Sequence, residues 1–176
     1  MVEIDYENLW NYVIQSTDKR PLNSIHAYDH WLRVERNGCV LATQDAVNVT
    51  VVRLFALFHD SKRVNENYDP EHGKRGAEFA EELNGDLFNI SEEEMSLLYE
   101  ACCDHTSGYH HKDPTIGVCW DSDRLDIGRA GMIPNSDFMS SKLAKEIADH
   151  GSIEPWLQLA EHVIPDPTHH HYKYDY

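Results

Sequence analysis

Apolar residues recur at helical spacing along most of this chain. In the first segment, IDYENLWNYVIQS, the apolar side chains share one helical face: Leu9, Trp10, Val13 and Ile14. Asp5 precedes them as a candidate N-cap, and Pro21 follows as a break. The pattern predicts an amphipathic helix at the start of the chain.

The next two segments carry longer apolar patterns. SIHAYDHWLRVERNGCVLATQ has Ser24 as a candidate cap, with Trp31, Val34 and Leu41 predicted to point inward. DAVNVTVVRLFALFHD contains a β-branched run that favours a strand by propensity alone. The apolar run is too long for a typical strand, and Asp45 can cap a helix, so we predict a buried helix.

Local signals place further helices in the second half. NYDPEHG reads as a loop, and KRGAEFAEEL as a helix that Gly85 ends. Ser91 and Glu94 have capping-box spacing ahead of a helix that stops by Gly108, and Asp113 precedes Pro114 at another helix start. Pro134 closes that section, and two more helical patterns follow: SDFMSSKLAKEIADHG and SIEPWLQLAEHVIP. These signals predict an all-α bundle of about seven helices.

Length and composition are those of one globular unit. At 176 residues, 41% of them hydrophobic, the chain is predicted to form a single domain over residues 1–176, with a flexible tail over 165–176 that holds three consecutive histidines. No apolar run approaches the roughly 20 residues that span a bilayer, so no membrane association is predicted. The acidic N-terminus lacks the pattern of a signal peptide, so we expect a cytoplasmic protein.

Charge narrows the choice of partners. Fifteen basic residues against 31 acidic ones give a net charge of −16, which argues against a nucleic acid polymer lying on a broad surface. A small phosphorylated substrate held locally by a metal ion and a few cations stays compatible with this charge. The four cysteines, Cys39, Cys102, Cys103 and Cys119, show no CxxC pair and are predicted to be free, buried apolar residues.

Histidines and aspartates fall where helices could present them to one pocket. His26 and His30 lie four residues apart, and His59-Asp60 end the long apolar helix. His72 lies in or just after a loop, and His105 lies near a helix end. Asp121 and Asp123 lie in a predicted helix whose other residues are largely apolar. Imidazole and carboxylate together suit a divalent metal ion, and a site without thiolates leaves positions open for water and substrate.

Cations follow the metal-ligand candidates. Lys62, Arg63 and Arg124 border them in sequence and could offset charge on a transferring phosphoryl group. Arg33 is a further candidate for phosphate binding. Glu66, in the loop after His59-Asp60, is a candidate general acid or base.

Four motifs in order, HAYDHWLRVERNG, LFHDSKR, ACCDHTSG and CWDSDRL, resemble the HD-domain superfamily of metal-dependent phosphohydrolases. The resemblance covers roughly residues 24 to 130. It implies an all-α fold and a metal ion bound by His30, His59, Asp60 and Asp123. Asp121 competes with Asp123 for the last place.

The resemblance also extends to members that bind two ions. It implies His26, His72 and His105 as additional ligands, although His26 stands where such relatives often have a carboxylate and Asp104-His105 replaces a histidine pair. One ion, with His72 and His105 binding phosphate, is the other interpretation. His110 and His111 are predicted to lie on the surface. Arg63 stands in place of the common lysine of HDIGK.

The implied function is hydrolysis of a small phosphate ester or anhydride, with a nucleotide as the favoured substrate. The expected cofactor is one divalent ion, or two, from the set Mn, Co, Ni, Zn, Fe or Mg. The predicted catalytic residues are Asp60, Lys62, Arg63 and Glu66, with a histidine as the other candidate for proton transfer. Two alternatives stay open: a di-iron oxygenase of the same fold, and a non-catalytic nucleotide-binding module.

Overall fold

The computed structural model describes residues 4–17, 24–26, 28–43 and 46–163. Within these ranges the chain is helical, and the extended segments contribute one isolated bridge between Asn84 and Phe88. The α-helices are α1 (Tyr6–Ser16), α2 (Tyr28–Leu41), α3 (Val49–Phe58), α4 (His72–Leu83), α5 (Glu92–Asp104), α6 (Pro114–Leu125) and α7 (Lys142–His150). Short 3₁₀ helices cover Asp126–Ala130, Ser136–Phe138 and Glu154–His162. The predicted all-α class is confirmed.

Three of the predicted helix starts are confirmed by their capping bonds. The Asp5 side chain accepts from the amide of Asn8 at 3.0 Å. Ser91 and Glu94 form the reciprocal bonds of a capping box at the start of α5. The Asp113 side chain caps α6, whose first residue is Pro114.

Two predicted helix starts were wrong. The N-cap of α3 is Asn48, whose side chain accepts from the amide of Val51 at 3.1 Å; Asp45 lies outside the described residues, as do Pro21 and the 164–176 tail. Helix α2 begins at Tyr28, so Ser24 and His26 precede the helix. The final predicted α-helix, at SIEPWLQLAEHVIP, is a 3₁₀ helix.

Helix α3 is the centre of the core. Val51, Val52 and the residues 54–58 are completely buried, because α2, α4, α5 and α6 all pack against this helix. Because seven of its ten residues are buried, α3 has no broad polar face. Trp31, Val34 and Leu41 of α2 are buried as predicted.

Two glycines let α4 approach its neighbours closely. A Cβ on Gly73 would overlap the carbonyl oxygen of Cys102 in α5, and one on Gly76 would overlap the carbonyl oxygen of Phe58 at the end of α3. This contact brings the first residue of α4, His72, close to the ends of α3 and α5.

The cysteines are free. Cys39, Cys102 and Cys119 are buried as predicted, whereas Cys103 is half-buried. Among the described helices, none has both the length and the apolar character required to cross a bilayer.

Candidate metal centre

Five helix ends converge on one buried cluster. His30 lies in the first turn of α2, and His59 caps the C-terminus of α3, directly before Asp60. The other members lie at the first residue of α4, at the C-cap of α5 and in the last turn of α6: His72, His105 and Asp123. The histidines are 0–7% exposed and Asp60 is 2% exposed, so the cluster is largely removed from bulk water.

The first group of ligand atoms surrounds His30. Its Nε2 lies 3.1 Å from His59 Nε2, 3.7 Å from Asp60 Oδ2 and 3.2 Å from Asp123 Oδ1. The same Asp60 oxygen is 3.7 Å from His59 Nε2, and Asp123 Oδ1 is 4.0 Å from it. His30, His59 and Asp60 offer ligand atoms close enough together to hold a metal ion.

The second group uses the other oxygen of the same carboxylate. Asp60 Oδ1 lies 3.1 Å from His72 Nε2 and 3.8 Å from His105 Nε2, and these two nitrogens are 3.0 Å apart. Asp60, His72 and His105 therefore form a second set that could hold an ion. Asp60 stands between the two sets with one oxygen turned toward each.

The outward nitrogens determine which ring atoms can act as ligands. His59 Nδ1 faces the carbonyl oxygens of Phe55 and Ala56, both at 3.1 Å, and His105 Nδ1 faces that of Cys102 at 2.7 Å. His72 Nδ1 faces the carbonyl oxygen of Asp69. A carbonyl oxygen only accepts, so each Nδ1 carries the proton and each Nε2 presents a lone pair to the cluster.

Lone pairs that face each other at 3.0 Å repel unless a cation lies between them. His72 and His105 have this arrangement, because the Nδ1–H group of each ring donates a hydrogen bond to the backbone and leaves Nε2 without a proton. A proton or a metal ion satisfies it, and the adjacent Asp60 carboxylate supplies compensating negative charge.

Burial and charge act together on the acid–base groups. Burial lowers the pKa of His59 to about 3, and it also lowers the pKa of His105, so both rings are neutral near pH 7. Burial would raise the pKa of Asp60 and Asp123, but the neighbouring histidines outweigh it and hold both carboxyls well below their usual range. Neutral imidazoles and ionised carboxylates are the forms that bind divalent ions, so His59 and His105 and the two carboxylates are ready to do so. Burial would also lower the pKa of His30, but its bonds to Asp123 and Asp126 outweigh burial and raise it, so an ion bound at His30 competes with a proton.

Asp126 also lies at this cluster, although it was not among the predicted residues. Its Oδ2 lies 2.7 Å from His30 Nδ1, and its Oδ1 accepts from Arg33 Nε at 2.6 Å. The signal was present in DSDRLD, where Asp126 follows Asp123 by three residues and so lies about one helical turn away. Hydrogen bonds from His30 and Arg33 outweigh burial and lower the pKa of Asp126.

His26 joins the cluster from the turn before α2. Its Nδ1 lies 3.1 Å from Asp60 Oδ2, and its side chain is 16% exposed. Its backbone carbonyl accepts from Trp31 Nε1 at 3.1 Å, which ties the turn to the helix. His26 is thus the more solvent-exposed partner of the shared carboxylate.

The predicted cations divide into one at the cluster and others bound elsewhere. Arg63 Nε donates to Asp60 Oδ1 at 3.0 Å, and Arg63 Nη1 is buried without a hydrogen-bond partner among the described residues. Lys62 Nζ instead donates to the Ser16 carbonyl at 3.2 Å and lies over the Phe79 ring. The structure thus brings Arg63, and not Lys62, to the candidate ligands.

Arginines 33 and 124 are engaged by protein oxygens. Arg124 donates to the carbonyls of Gly108, Tyr109 and Phe138, so it holds two loops together next to α6. Arg33 donates to Asp126. Neither guanidinium is directed at the ligand atoms by these contacts.

The remaining candidates lie apart from the ligand atoms. Both oxygens of Asp121 accept backbone amides, from Ser140 and Ser141 at 2.7 Å each, so Asp123 is the residue of this pair that faces the histidines. Glu66 is exposed on the loop between α3 and α4. His110 is exposed and His111 half-buried.

Comparison of the chain with protein-family profiles, curated proteins and solved structures gave no match in any of the three.

Proposed function

We propose that the protein is a metal-dependent phosphohydrolase of the HD type that acts on a small phosphate ester or anhydride, most simply a nucleotide. The observation that carries the proposal is the division of the Asp60 carboxylate between two histidine groups, with Oδ2 toward His30 and His59 and Oδ1 toward His72 and His105. A divalent ion in such a site lowers the pKa of a bound water and polarises a phosphoryl oxygen.

The chain's own residues have separable roles in this proposal. His30, His59, Asp60 and Asp123 hold one ion, and Asp60, His72 and His105 would hold a second. Their mixed imidazole and carboxylate donors suit Mn, Fe, Co, Ni or Zn better than Mg, which prefers oxygen ligands. His26, at the more exposed edge, donates to Asp60 and keeps this carboxylate oriented.

Arg63 is the proposed phosphate-binding cation. Its Nε is bound to Asp60 Oδ1, while its Nη1 has no hydrogen-bond partner among the described residues. A buried guanidinium nitrogen without a partner is costly, and a phosphoryl oxygen would satisfy it. The same contact would place positive charge where negative charge develops during phosphoryl transfer. Glu66 stays a predicted general acid or base.

The test is a phosphate-release screen on protein loaded separately with Mn, Fe, Co, Ni, Zn or Mg, against nucleoside mono-, di- and triphosphates. We expect turnover with at least one transition metal, and loss of turnover to background in Asp60→Asn. Asp149→Asn, a change at an exposed carboxylate on α7, serves as the matched control and should retain full activity. Protein that binds ions but releases no phosphate from any substrate would overturn the proposal.

A di-iron oxygenase is the second candidate, and the paired ligand groups favour it too, because a carboxylate placed between two histidine sets suits two irons. Arg63 discriminates between the candidates, since a cation with a free donor beside the carboxylate suits a phosphate. Iron-loaded protein with visible absorption and substrate-dependent oxygen consumption, together with no phosphate release, would establish the oxygenase instead.

A further inference from the structure

His30 differs from the other clustered histidines in what binds its outward nitrogen. His59, His72 and His105 each direct Nδ1 to a backbone carbonyl oxygen. His30 directs Nδ1 to a carboxylate, Asp126 Oδ2, at 2.7 Å. A carboxylate carries a full charge, so it holds the imidazole in one tautomer and raises the electron density on Nε2 more than a neutral carbonyl does.

Asp126 is itself firmly held. Its Oδ1 accepts from Arg33 Nε at 2.6 Å, and Arg129 lies within 3.7 Å of Oδ2 while also donating to the Asp126 carbonyl oxygen at 3.0 Å. The residue is 7% exposed, so these bonds are shielded from water. The carboxylate therefore has little freedom to move away from His30.

The position of Asp126 links two ligand-bearing helices. His30 and Arg33 lie three residues apart on α2, and Asp126 follows the C-terminus of α6, three residues after Asp123. The network thus fixes the His30 ring relative to Asp123, whose Oδ1 is 3.2 Å from His30 Nε2. Arg129 extends it to the turn that carries His26 by donating to the Ile25 carbonyl at 2.7 Å.

We propose that Asp126 is a positioning residue for the metal centre, which sets the orientation and donor strength of His30 through Nδ1 while Arg33 holds Asp126 in place. The proposal rests on the metal site of the proposed function. It adds a residue outside the ligand set and predicts an effect on ion affinity that does not depend on the reaction catalysed.

The test measures Co²⁺ binding directly, by calorimetry and by the visible absorption of the bound ion, for the native protein and Asp126→Asn. Asparagine keeps the shape but removes the charge, so we expect an affinity lower by roughly 10- to 100-fold and a changed absorption spectrum. Asp126→Glu, which restores the charge, should recover part of the affinity.

Asp121→Asn is the matched control, because Asp121 is also a buried aspartate of the same region but bonds to the backbone amides of Ser140 and Ser141. It should lower the melting temperature while leaving the Co²⁺ affinity of the folded protein within about twofold of native. If Asp126→Asn does not fold, Arg33→Gln tests the same network, with an expected loss of several-fold in affinity.

The outcomes separate the two proposals. Co²⁺ binding of native strength in folded Asp126→Asn, or in Arg33→Gln where the first variant does not fold, would overturn the role of Asp126 and leave the hydrolase proposal standing. Absence of ion binding by the native protein would overturn the metal site and, with it, both proposals. Weakened binding in Asp126→Asn with native binding in Asp121→Asn would support the positioning role.

Discussion

For three histidines of the centre, the backbone oxygen that each bonds through Nδ1 determines which ring nitrogen faces the cluster. The Nδ1–H groups of His59, His72 and His105 donate hydrogen bonds to backbone carbonyls, so each Nε2 keeps a lone pair that can bind a cation. These acceptors are supplied by residues three or four positions earlier in the chain, or by the loop before α4. The ring nitrogen of each histidine that could bind a cation is therefore set by the local backbone of the helix ends.

The second ligand group can be disrupted by a substitution that changes no residue of the first group. His105→Phe keeps a ring of similar size but eliminates the Nε2 that lies 3.0 Å from His72 Nε2. We expect the number of transition-metal ions bound per chain to fall from two to one, measured by elemental analysis after dialysis.

The control for this prediction is His110→Phe, because His110 is exposed and bonds to the carbonyl of Asp137. It should keep the native stoichiometry. Two ions still bound by His105→Phe would argue against the second site, and so would a native protein that binds one.

The lowered pKa of His59 predicts a pH dependence of stability in metal-free protein. Its folded pKa of about 3 lies below the ordinary value of about 6.5, so between these values the unfolded chain binds a proton that the folded chain does not. The free energy of unfolding should therefore fall as the pH falls through this window, by up to about 1.4 kcal/mol per pH unit from this group. His105 acts with the same sign.

Urea unfolding in the presence of a chelator, at intervals from pH 7 to pH 4.5, measures this dependence. His59→Phe should show a shallower slope than native, whereas His150→Gln, a change at an exposed position, should keep the native slope. The raised pKa of His30 has the opposite sign, since its contribution is present at low pH and is lost as the pH rises through its folded value. An unchanged slope in His59→Phe would show that the lowered pKa of His59 is not the source of the pH dependence.

The helices contribute residues to the candidate metal centre mainly at their ends. Helix α3 delivers His59 and Asp60, α5 delivers His105, and α4 begins with His72. The close approach of α4 to α5 at Gly73 brings two of these ends together. The spacing of the second ligand group is thus a property of helix packing as much as of the ligands themselves.

Gly73→Ala tests this dependence on packing. The new methyl group would overlap the backbone oxygen of Cys102, which cannot rotate away, so α4 must shift from α5. We expect a loss of about 1–3 kcal/mol in the free energy of unfolding, measured with urea, and weaker binding of the second ion.

Gly128→Ala is the control for this prediction, because a Cβ at that position meets nothing within 4 Å. Its stability should stay within about 0.5 kcal/mol of native. A Gly73→Ala protein with native stability and native ion binding would show that α4 is free to move.

Sequence patterns predicted some of these elements better than others. The caps at Asp5, Ser91 and Asp113 were predictable because each acts on amides two or three residues away. The start of α2 was not, because it depends on how the preceding turn is tied to Trp31 and Asp60. A sequence pattern therefore predicts a helix start well when the capping bond is local. It predicts poorly a start that depends on tertiary contacts.

The same distinction applies to the candidate site. His30, His59, Asp60 and Asp123 were predicted together because they stand in short, ordered motifs, and their side chains lie close together in the structure. Lys62 was placed beside the ligands on sequence adjacency alone, although its side chain extends to Ser16 and Phe79. Asp126 was not predicted because it lies one residue beyond the motif CWDSDRL, and no local pattern pairs it with His30.

At the scale of the whole molecule, the net charge of −16 acts on any anionic substrate. Long-range repulsion slows the approach of a phosphate ester, and salt screens charges beyond about 10 Å at 0.1 M. We therefore expect kcat/KM for a nucleotide to rise a few-fold as the ionic strength increases from about 10 to 150 mM. Steady-state kinetics in sodium chloride measures this effect.

The control for this prediction is an uncharged or cationic ester assayed in parallel, which should show no rise. A kcat/KM that falls with salt for the nucleotide would mean that the local field of Arg63 and the bound ions dominates the encounter.

The convergence of five helix termini also affects how the chain withstands unfolding. A metal ion bound by residues as distant in sequence as His30 and Asp123 would link α2 to α6 in the folded protein only. By mass action, each tenfold increase in free ion concentration above the dissociation constant would add about 1.4 kcal/mol to the free energy of unfolding. Metal supply in the surroundings would then govern how much of this protein survives heat, quite apart from any chemistry it performs.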